Sequence, residues 1–391
     1  MKEAYIVTGF RTAVGKAKRG GFRSVRSDEL AKEVITHLLK SVPQLDPKRI
    51  DDLIVGNAVP EAEQGLQMGR MIALQCLPQE VPGMTVNRYC ASGVETIAIA
   101  VSRIRSGMAD CIIAGGAESM STVPVTGWKL APNYNIAVEH PEFYLGMGLT
   151  AEEIVRDYKI SREDQDEFSY HSHMKAVNAI KNGYFKNEIV PIEVKEIYIE
   201  NNKKKEKQFI VDTDEGPRAD TTLEALAKLK PVFAKDGTVT AGNASQTSDG
   251  AAFVLVMSEE MVKELKLKPM ARLVSYALAG VDPRIMGIGP VEAVPKALKK
   301  IGMNLNQIDL IELNEAFAAQ ALSVIRTLDL NQEILNVNGG AIALGHPLGC
   351  TGAKLTVQIL NELIRRKKKF GLLTACIGGG QGVAAIFENL S

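Results

Sequence analysis

Two stretches of the chain, one in each half, repeat the same order of elements. The first runs from TVN at 85–87 through Cys90 and a helical pattern to an apolar strand that ends at Gly115-Gly116. The second runs from NVN at 336–338 through a glycine-rich turn and a helical pattern to a strand that ends at the glycines 378–380. This internal repetition predicts two similar halves, and each half would supply part of one site.

Short β-rich runs alternate with helical patterns along both halves. Apolar residues at helical spacing cover 94–106, and the strand-like run Ile112-Ile113-Ala114 follows them. Other short apolar runs lie at 53–55, 310–313 and 372–375. Such alternation is typical of α/β layering, in which strands are covered by helices.

The segment between the halves, 119–240, has a different composition. It contains the only tryptophan, a polar helical pattern at 161–182 and the charged run NNKKKEKQ at 201–208. A charged run of this kind is usually a solvated surface, so we expect a turn between two strands rather than a binding patch. The segment is predicted to be an insertion in the first half.

Composition excludes several classes of protein. Basic and acidic residues number 46 each, so a chain-wide positive field for nucleic acid is absent. No apolar run is long enough to span a membrane, and Met1–Phe10 predicts a strand rather than a targeting signal, which favours the cytoplasm. The five cysteines are scattered and form no Cys-x-x-Cys pair, so neither a disulfide framework nor a metal site is expected.

Cys90 is the first candidate for chemistry. It lies in VNRYCASG, between a predicted strand and a predicted helix. The positive end of a helix dipole and free backbone N–H groups favour the thiolate, which is the nucleophilic form of cysteine. The alternative is a small buried apolar side chain, which is the usual role of a free cysteine.

Three further residues stand in patterns that favour a site. His346 lies in the glycine-rich run GGAIALGHPLGCTG, where it could act as a base for a thiol or serve only the loop. Cys376 is placed at a strand end before CIGGGQG, where exposure is more common than within a strand, and it could act as an acid and base. Asn314 follows a strand and could polarise a carbonyl group or hold a water, or simply cap a helix.

Six motifs then occur in order across nearly the whole chain. They are NRYCASG, AGGAESMS, GNASQTSDGAA, NEAFAAQ, GGAIALGHPLGCTG and CIGGGQG. Together they resemble the thiolase family. The resemblance implies the thiolase fold, an α/β fold with two similar βαβαβαββ halves in a five-layer αβαβα arrangement and an inserted loop domain. The expected domains are an N-terminal half at 1–118 plus 241–268, a loop domain that binds coenzyme A at 119–240, and a C-terminal half at 269–391.

The resemblance also implies roles for single residues. Cys90 is similar to the acylated nucleophile, His346 to its base, and Cys376 to the acid and base at the acetyl carbon. Asn314 is similar to the residue that holds a water beside that histidine in one oxyanion hole. The backbone N–H groups of Cys90 and Gly378 resemble the second oxyanion hole.

Coenzyme A is implied as a substrate, and no tightly bound cofactor is expected. Ser245 resembles the residue that meets the pantetheine arm, and Arg218 resembles the residue at the adenine end. Four more side chains are expected to line the pantetheine and acyl region, although each could equally be ordinary core: Met147, Phe233, Met286 and Phe317.

The motifs favour a degradative acetyl-CoA C-acyltransferase of fatty acid β-oxidation, which cleaves 3-oxoacyl-CoA. Short-chain relatives often carry His-Met-Gly in the loop domain, whereas this chain has Gly146-Met147-Gly148 and so offers more room. The alternatives are a biosynthetic acetoacetyl-CoA thiolase, a decarboxylating condensing enzyme on the same fold, which the second cysteine disfavours, and a non-catalytic acyl-CoA-binding relative. The resemblance further implies a homodimer or homotetramer, and a complex with a hydratase–dehydrogenase subunit is compatible with it.

Overall fold

The computed structural model describes residues 2–391, and its main feature is one sheet of eleven strands. A separate two-stranded hairpin lies outside that sheet. The strands, in chain order, are β1 Ala4–Thr12, β2 Gly15–Lys16, β3 Asp52–Gly56, β4 Gly83–Val86, β5 Cys111–Ser119, β6 Ile189–Val190, β7 Ile192–Glu200, β8 Lys203–Val211, β9 Ser248–Ser258, β10 Ala271–Gly280, β11 Leu310–Leu313, β12 Phe370–Ile377 and β13 Gln381–Asn389.

The sheet has two arms of matching topology. Outward from the centre, one arm runs β1, β9, β5, β3, β4 and the other runs β10, β13, β12, β11. In each arm the second strand is antiparallel to both of its neighbours, and the strands beyond it are parallel. The arms meet where β1 pairs with β10 through Ile6 and Ala271. A parallel bridge from Ile311 to Leu335 occupies the position that β4 holds in the first arm. The predicted pair of similar halves is therefore confirmed.

Residues 2–391 contain twelve α-helices. They are α1 Ser27–Ser41, α2 Met68–Cys76, α3 Ser92–Arg105, α4 Tyr134–Glu139, α5 Met147–Tyr158, α6 Arg162–Lys181, α7 Leu223–Ala227, α8 Glu259–Glu264, α9 Gly289–Lys300, α10 Ala318–Leu328, α11 Ala341–Leu344 and α12 Leu348–Arg366. The sequence-based strands at 53–55, 112–114, 310–313 and 372–375 and the helices at 94–106 and 161–182 are all present.

Three apolar clusters explain the predicted five layers. One cluster joins α1 and α2 to the outer face of the first arm, and another joins α9 and α10 to the outer face of the second arm. The largest cluster joins α3 and α12 to the inner faces of both arms. Because side chains alternate between the two faces of a strand, each arm buries both faces, and the order of layers is αβαβα.

The two central helices cross at a pair of glycines. A Cβ added to Gly93 in α3 would lie 2.5 Å from the backbone nitrogen of Ala353, and one added to Gly352 in α12 would lie 2.4 Å from that of Val94. Both separations are shorter than any real carbon contact, so only glycine permits this approach. The helix that follows Cys90 and the helix that follows His346 therefore pack with their backbones in direct contact.

The chain between β5 and β9 leaves the sheet and is tied back to it by a buried ion cluster. Arg11 of β1 donates to Glu188 at 2.8 Å and to Asp214 at 2.7 Å, and all three side chains are buried. Asp214 also accepts the N–H of Val14 at 2.8 Å. The paired charges fix the position of the inserted segment on β1, because each buried charge has a partner. The exact limits expected for the three domains stay a prediction.

The charged run at 201–208 differs in part from the sequence-based expectation. Only Asn201 and Asn202 form the turn, and both have positive φ, as a tight hairpin turn requires. Lys203 and the residues after it belong to β8, where most are exposed. Across residues 2–391, no helix is both long and apolar enough to cross a membrane.

Candidate active site

Cys90 lies in a short helical turn between β4 and α3. The turn covers Tyr89–Ala91, and Tyr89 adopts a left-handed conformation with φ of 42°. Ser92 braces the turn, because its hydroxyl donates to the Tyr89 carbonyl at 2.7 Å and accepts the Arg88 N–H at 2.8 Å. The turn holds the Cys90 side chain at the junction of the halves, where 2% of it is exposed.

Burial dominates the electrostatics of the Cys90 thiol. It raises the pKa of Cys90 to about 12, although the backbone N–H groups of Gly378 and of Cys90 itself act in the opposite direction. The sequence-based expectation that the helix N-terminus would favour a resting thiolate is therefore wrong. Desolvation penalises the charged form more than these donors stabilise it.

His346 faces the same junction from the glycine-rich loop before α12. Its backbone N–H donates to the Gln246 carbonyl at 3.1 Å and to the Ser248 hydroxyl at 3.2 Å. Its Nδ1 lies 2.6 Å from Thr351 Oγ1, and its Nε2 lies 3.4 Å from Asn314 Nδ2. Burial, with the nearby Lys354 charge, lowers the pKa of His346 to about 3. The imidazole is neutral at physiological pH.

A protonated thiol beside a neutral imidazole has a measurable consequence. We expect the rate at which iodoacetamide alkylates Cys90 in the free enzyme to rise about tenfold per pH unit from pH 6 to 9, because the thiolate is the reactive form. Mass spectrometry of the Cys90 peptide measures this rate, and Cys90→Ala identifies the peptide. A plateau below pH 8 would contradict the neutral resting pair.

Asn314 and Cys376 complete the polar part of the junction. Asn314 follows β11, and its Oδ1 is buried with no hydrogen-bond partner among residues 2–391. Cys376 lies near the end of β12 and is 1% exposed, so the expected exposure at a strand end is wrong. The inserted segment and the other half cover it. Burial and the neighbouring Cys90 hold the pKa of Cys376 well above its ordinary value.

A cavity of about 470 Å³ opens onto Cys90 and His346, and its walls are mostly apolar. Phe233 and Phe317 meet edge to face in its wall, with centroids 6.0 Å apart. The predicted site residues in the lining are Cys90, Met147, Ser245, Phe233, Met286, Phe317 and His346. Gly146 also lines the cavity, and a Cβ added there would meet no atom within 4 Å.

Comparison with known proteins shows which family the chain belongs to. The family model for the thiolase N-terminal domain matches residues 4–260, and the model for the thiolase C-terminal domain matches residues 267–389. The chain belongs to the thiolase family. Like its relatives, this thiolase is an acyltransferase.

Three relatives cover nearly all of the thiolase chain. It is 54% identical to a 3-ketoacyl-CoA thiolase of Bacillus subtilis, over 99% of this chain and 100% of the relative. It is 46% identical to an acetyl-CoA acetyltransferase of Pseudomonas aeruginosa, over 98% of each chain. The crystal structure of the Bacillus anthracis acetyl-CoA acetyltransferase matches with a TM-score of 0.89 at 41% identity, over 100% of this chain and 99% of that one. The thiolase fold is thereby confirmed.

One predicted site residue of the thiolase lies apart from the others. Arg218 lines a separate depression of about 270 Å³ together with His173 and Asp220, and its backbone N–H donates to His173 Nδ1 at 3.2 Å. Gln246 lines both this depression and the larger cavity. The two spaces therefore adjoin, and a long ligand could occupy both.

Sequence reasoning missed a carboxylate that joins the halves of the thiolase beside Cys90. Glu118, at the end of β5, accepts the N–H groups of Ala58 and Gly349, each at 2.8 Å. It also accepts the side-chain amides of Gln64 at 2.7 Å and Asn57 at 3.1 Å. Gly349 lies in the first turn of α12, so Glu118 fixes the His346 loop against the first half. The only sequence signal for Glu118 was its place in the motif AGGAESMS, and the motif does not show which groups this side chain would bind.

Proposed function

We propose that this thiolase cleaves 3-oxoacyl-CoA with coenzyme A to give acetyl-CoA and an acyl-CoA two carbons shorter, through an acyl group on Cys90. The observation that supports this most is that Cys90 and His346, one from each half, line the same apolar cavity and that Cys376 neighbours Cys90. A nucleophile, a base and a second acid are the groups that a thioester carbon–carbon cleavage requires.

In the first half-reaction, Cys90 Sγ attacks the keto carbon while its proton passes to His346 Nε2. The bond between the keto carbon and the adjacent methylene then breaks. Its electron pair leaves as the enolate of acetyl-CoA, which takes a proton from Cys376. A neutral thiol beside a neutral base suits this order, because charge develops only as the bond forms.

Two sets of hydrogen-bond donors would stabilise the oxygen atoms that become negative. The backbone N–H groups of Cys90 and Gly378, which act against burial to lower the pKa of the Cys90 thiol, would face the acyl group on Cys90. His346 and Asn314, the latter through a water, would serve the thioester oxygen of the enolate. Preformed donors of this kind contribute most in sites that exclude water.

In the second half-reaction, a new coenzyme A molecule gives its thiol proton to the Cys376 thiolate. Its sulfur attacks the acyl carbon, the bond to Cys90 breaks, and His346 returns the proton to Cys90. Both cysteines are then thiols again and the products have left, so the kinetics are ping-pong. Coenzyme A is a substrate here and not a resident cofactor.

The adjoining spaces support the expected path for coenzyme A. Ser245 lines the larger cavity, where it would meet the pantetheine arm, and Arg218 lines the second depression, where it would meet the adenine end. Arginine suits both stacking on a base and pairing with phosphate. Phe233, Met286 and Phe317 would contact the apolar part of the arm and the acyl group.

A medium- or long-chain 3-oxoacyl-CoA is the substrate that we favour. Gly146 leaves open space beside the cavity, and the Bacillus subtilis relative is a 3-ketoacyl-CoA thiolase. An acetoacetyl-CoA thiolase is the second candidate, because two of the relatives are acetyl-CoA acetyltransferases. A non-catalytic acyl-CoA-binding role is disfavoured because all four predicted catalytic side chains are present around one junction.

Filling the space at Gly146 tests the chain-length proposal. We expect Gly146→His to lower kcat/KM for medium- and long-chain 3-oxoacyl-CoA by about 10-fold or more and to change that for acetoacetyl-CoA by less than about 3-fold. Gly146 has negative φ and open space around it, so the variant should fold normally. Gly280→His is the control, because Gly280 has equal space but lies outside the cavity lining. An equal loss for all chain lengths would contradict the proposal.

The edge of the first arm supports self-association. Strand β4 is the last strand of that arm, and the neighbouring α2 exposes Met71 and Leu74. An open strand edge beside apolar side chains is a surface that a second copy can cover. We propose a homodimer through this edge, while a tetramer, a complex with a hydratase–dehydrogenase subunit and a cytoplasmic location stay predictions.

A further inference from the structure

Thr351 is a buried residue in the first turn of α12 that no motif role accounts for. Its side chain is 1% exposed. Its Oγ1 lies 2.6 Å from His346 Nδ1 and donates to the Pro347 carbonyl at 3.0 Å. The hydroxyl therefore stands between a ring nitrogen and a carbonyl oxygen.

The number of hydrogens on each group limits which of them can donate. A carbonyl oxygen can only accept, so a Thr351 hydroxyl that donates to Pro347 has only its lone pairs left for His346 Nδ1. In that arrangement His346 Nδ1 is the donor to Thr351 Oγ1. A neutral imidazole carries one ring hydrogen, so Nε2 is left with a free lone pair.

The other side of the ring fits the same assignment. Asn314 Nδ2, an amide donor, approaches His346 Nε2 at 3.4 Å. With the Asn314 amide in this orientation, a ring hydrogen on Nε2 would place two N–H groups face to face. Both faces of the imidazole thus agree on a hydrogen at Nδ1.

We propose that Thr351 is a positioning residue that fixes His346 in the tautomer with hydrogen on Nδ1, and so keeps Nε2 ready to take the Cys90 proton. This inference deepens the proposed function and rests on His346 being the base for Cys90. When Nε2 takes the proton, Nδ1 still donates to Thr351. The ring therefore needs no rearrangement between its neutral and charged forms.

The test compares three variants with the wild type. Thr351→Val removes the hydroxyl and keeps the shape, and Thr351→Ser restores the hydroxyl. Thr356→Val is the matched control, because Thr356 is also buried in α12 and its hydroxyl donates to the Gly352 carbonyl at 2.8 Å without touching a histidine. Nitrogen-15 NMR of labelled histidines reports the tautomer, and His346→Asn assigns the His346 signals.

We expect the wild type to show a protonated Nδ1 and a free Nε2 at His346. Thr351→Val should shift this tautomer towards Nε2–H and slow acylation of Cys90 by acetyl-CoA on the order of 10- to 100-fold, because a positioned base contributes within this range. Thr351→Ser and Thr356→Val should keep the tautomer and stay within about 3-fold of the wild-type rate.

Three outcomes would overturn the inference. They are a wild type with hydrogen on Nε2, a Thr351→Val variant with unchanged tautomer and rate, or a Thr356→Val variant with the same losses as Thr351→Val. A failure of the proposed function gives a different result. In that case the tautomer shifts as expected in Thr351→Val, but acylation of Cys90 in Thr351→Val and His346→Asn remains at the wild-type rate.

Discussion

Replacing Cys90 with alanine is expected to lower kcat for thiolysis by on the order of 10⁴-fold or more, because the proposed route passes through an acyl group on its thiol. Arg218 and Ser245 lie outside the Cys90 turn, so the dissociation constant of coenzyme A should change by less than about 3-fold. Steady-state assays measure the first effect and titration calorimetry the second. Intact-protein mass spectrometry should detect an acyl adduct on the wild type and none on the variant.

Cys111→Ala is the control for this substitution. Cys111 is an equally buried thiol, but it lies in β5 within the outer cluster formed with α1 and α2. Its loss should cost some stability and leave turnover within about 2-fold, because it touches no site residue. Thiolysis that survives in Cys90→Ala would refute the acyl-cysteine route.

Replacing Cys376 with alanine is expected to reduce carbon–carbon cleavage by about 10³-fold, which lies within the range for loss of a general acid. The enolate would then leave without a proton donor. Transfer of an acetyl group from acetyl-CoA to Cys90 should be affected far less, because the coenzyme A thiolate that leaves in that step is a much weaker base than the enolate and depends less on the Cys376 proton. Rapid-quench mass spectrometry of acetyl-Cys90 and steady-state cleavage rates measure the two steps separately.

The separation of these two steps is the decisive part of the Cys376 experiment. A general disturbance of the junction would slow acetyl transfer and cleavage together, because Cys376 packs against Met286 and Phe317. Cys376→Ser keeps the volume but offers a much weaker acid, so it should also retain acetyl transfer and lose cleavage. Equal losses in both steps would assign Cys376 a packing role.

The sequence predicted the architecture because its signals were local. The runs at 310–313 and 372–375 are short and apolar, and the pattern at 94–106 has helical spacing, so each element could be identified by itself. The repeated halves were visible because each half keeps the order of strand, turn, helix and strand. The five-layer arrangement, however, came from the resemblance to the thiolase family, since local patterns do not say which helices lie between the sheets.

The state of the site could not be predicted from the sequence. Cys90 does precede a helix, but the packing of both halves around it raises the pKa of the thiol beyond what the helix N-terminus can offset. Cys376 was expected to be exposed because of its strand-end position, and a different part of the chain buries it. Burial of this kind depends on contacts between distant segments.

The sequence also could not predict the contacts of polar residues to which the motifs assign no catalytic role. Glu118 accepts hydrogen bonds from three separate segments, and the Thr351 hydroxyl contacts the ring of a histidine. Neither residue type nor spacing indicates such partners. Only the assembled halves bring the donors and acceptors within reach.

The glycine crossing of α3 and α12 limits how far the reacting groups on the two helices can move relative to each other. Cys90 stands three positions before Gly93, and Thr351 directly precedes Gly352, so the nucleophile and the support of the base are both fixed close to this contact. One added methyl group would force the helices apart, and a displacement of about 1 Å can cost about 100-fold in rate. Gly93 and Gly352, which carry no reactive group, thus set the distance between Cys90 and the residue that supports His346. A larger side chain at either position would change that distance.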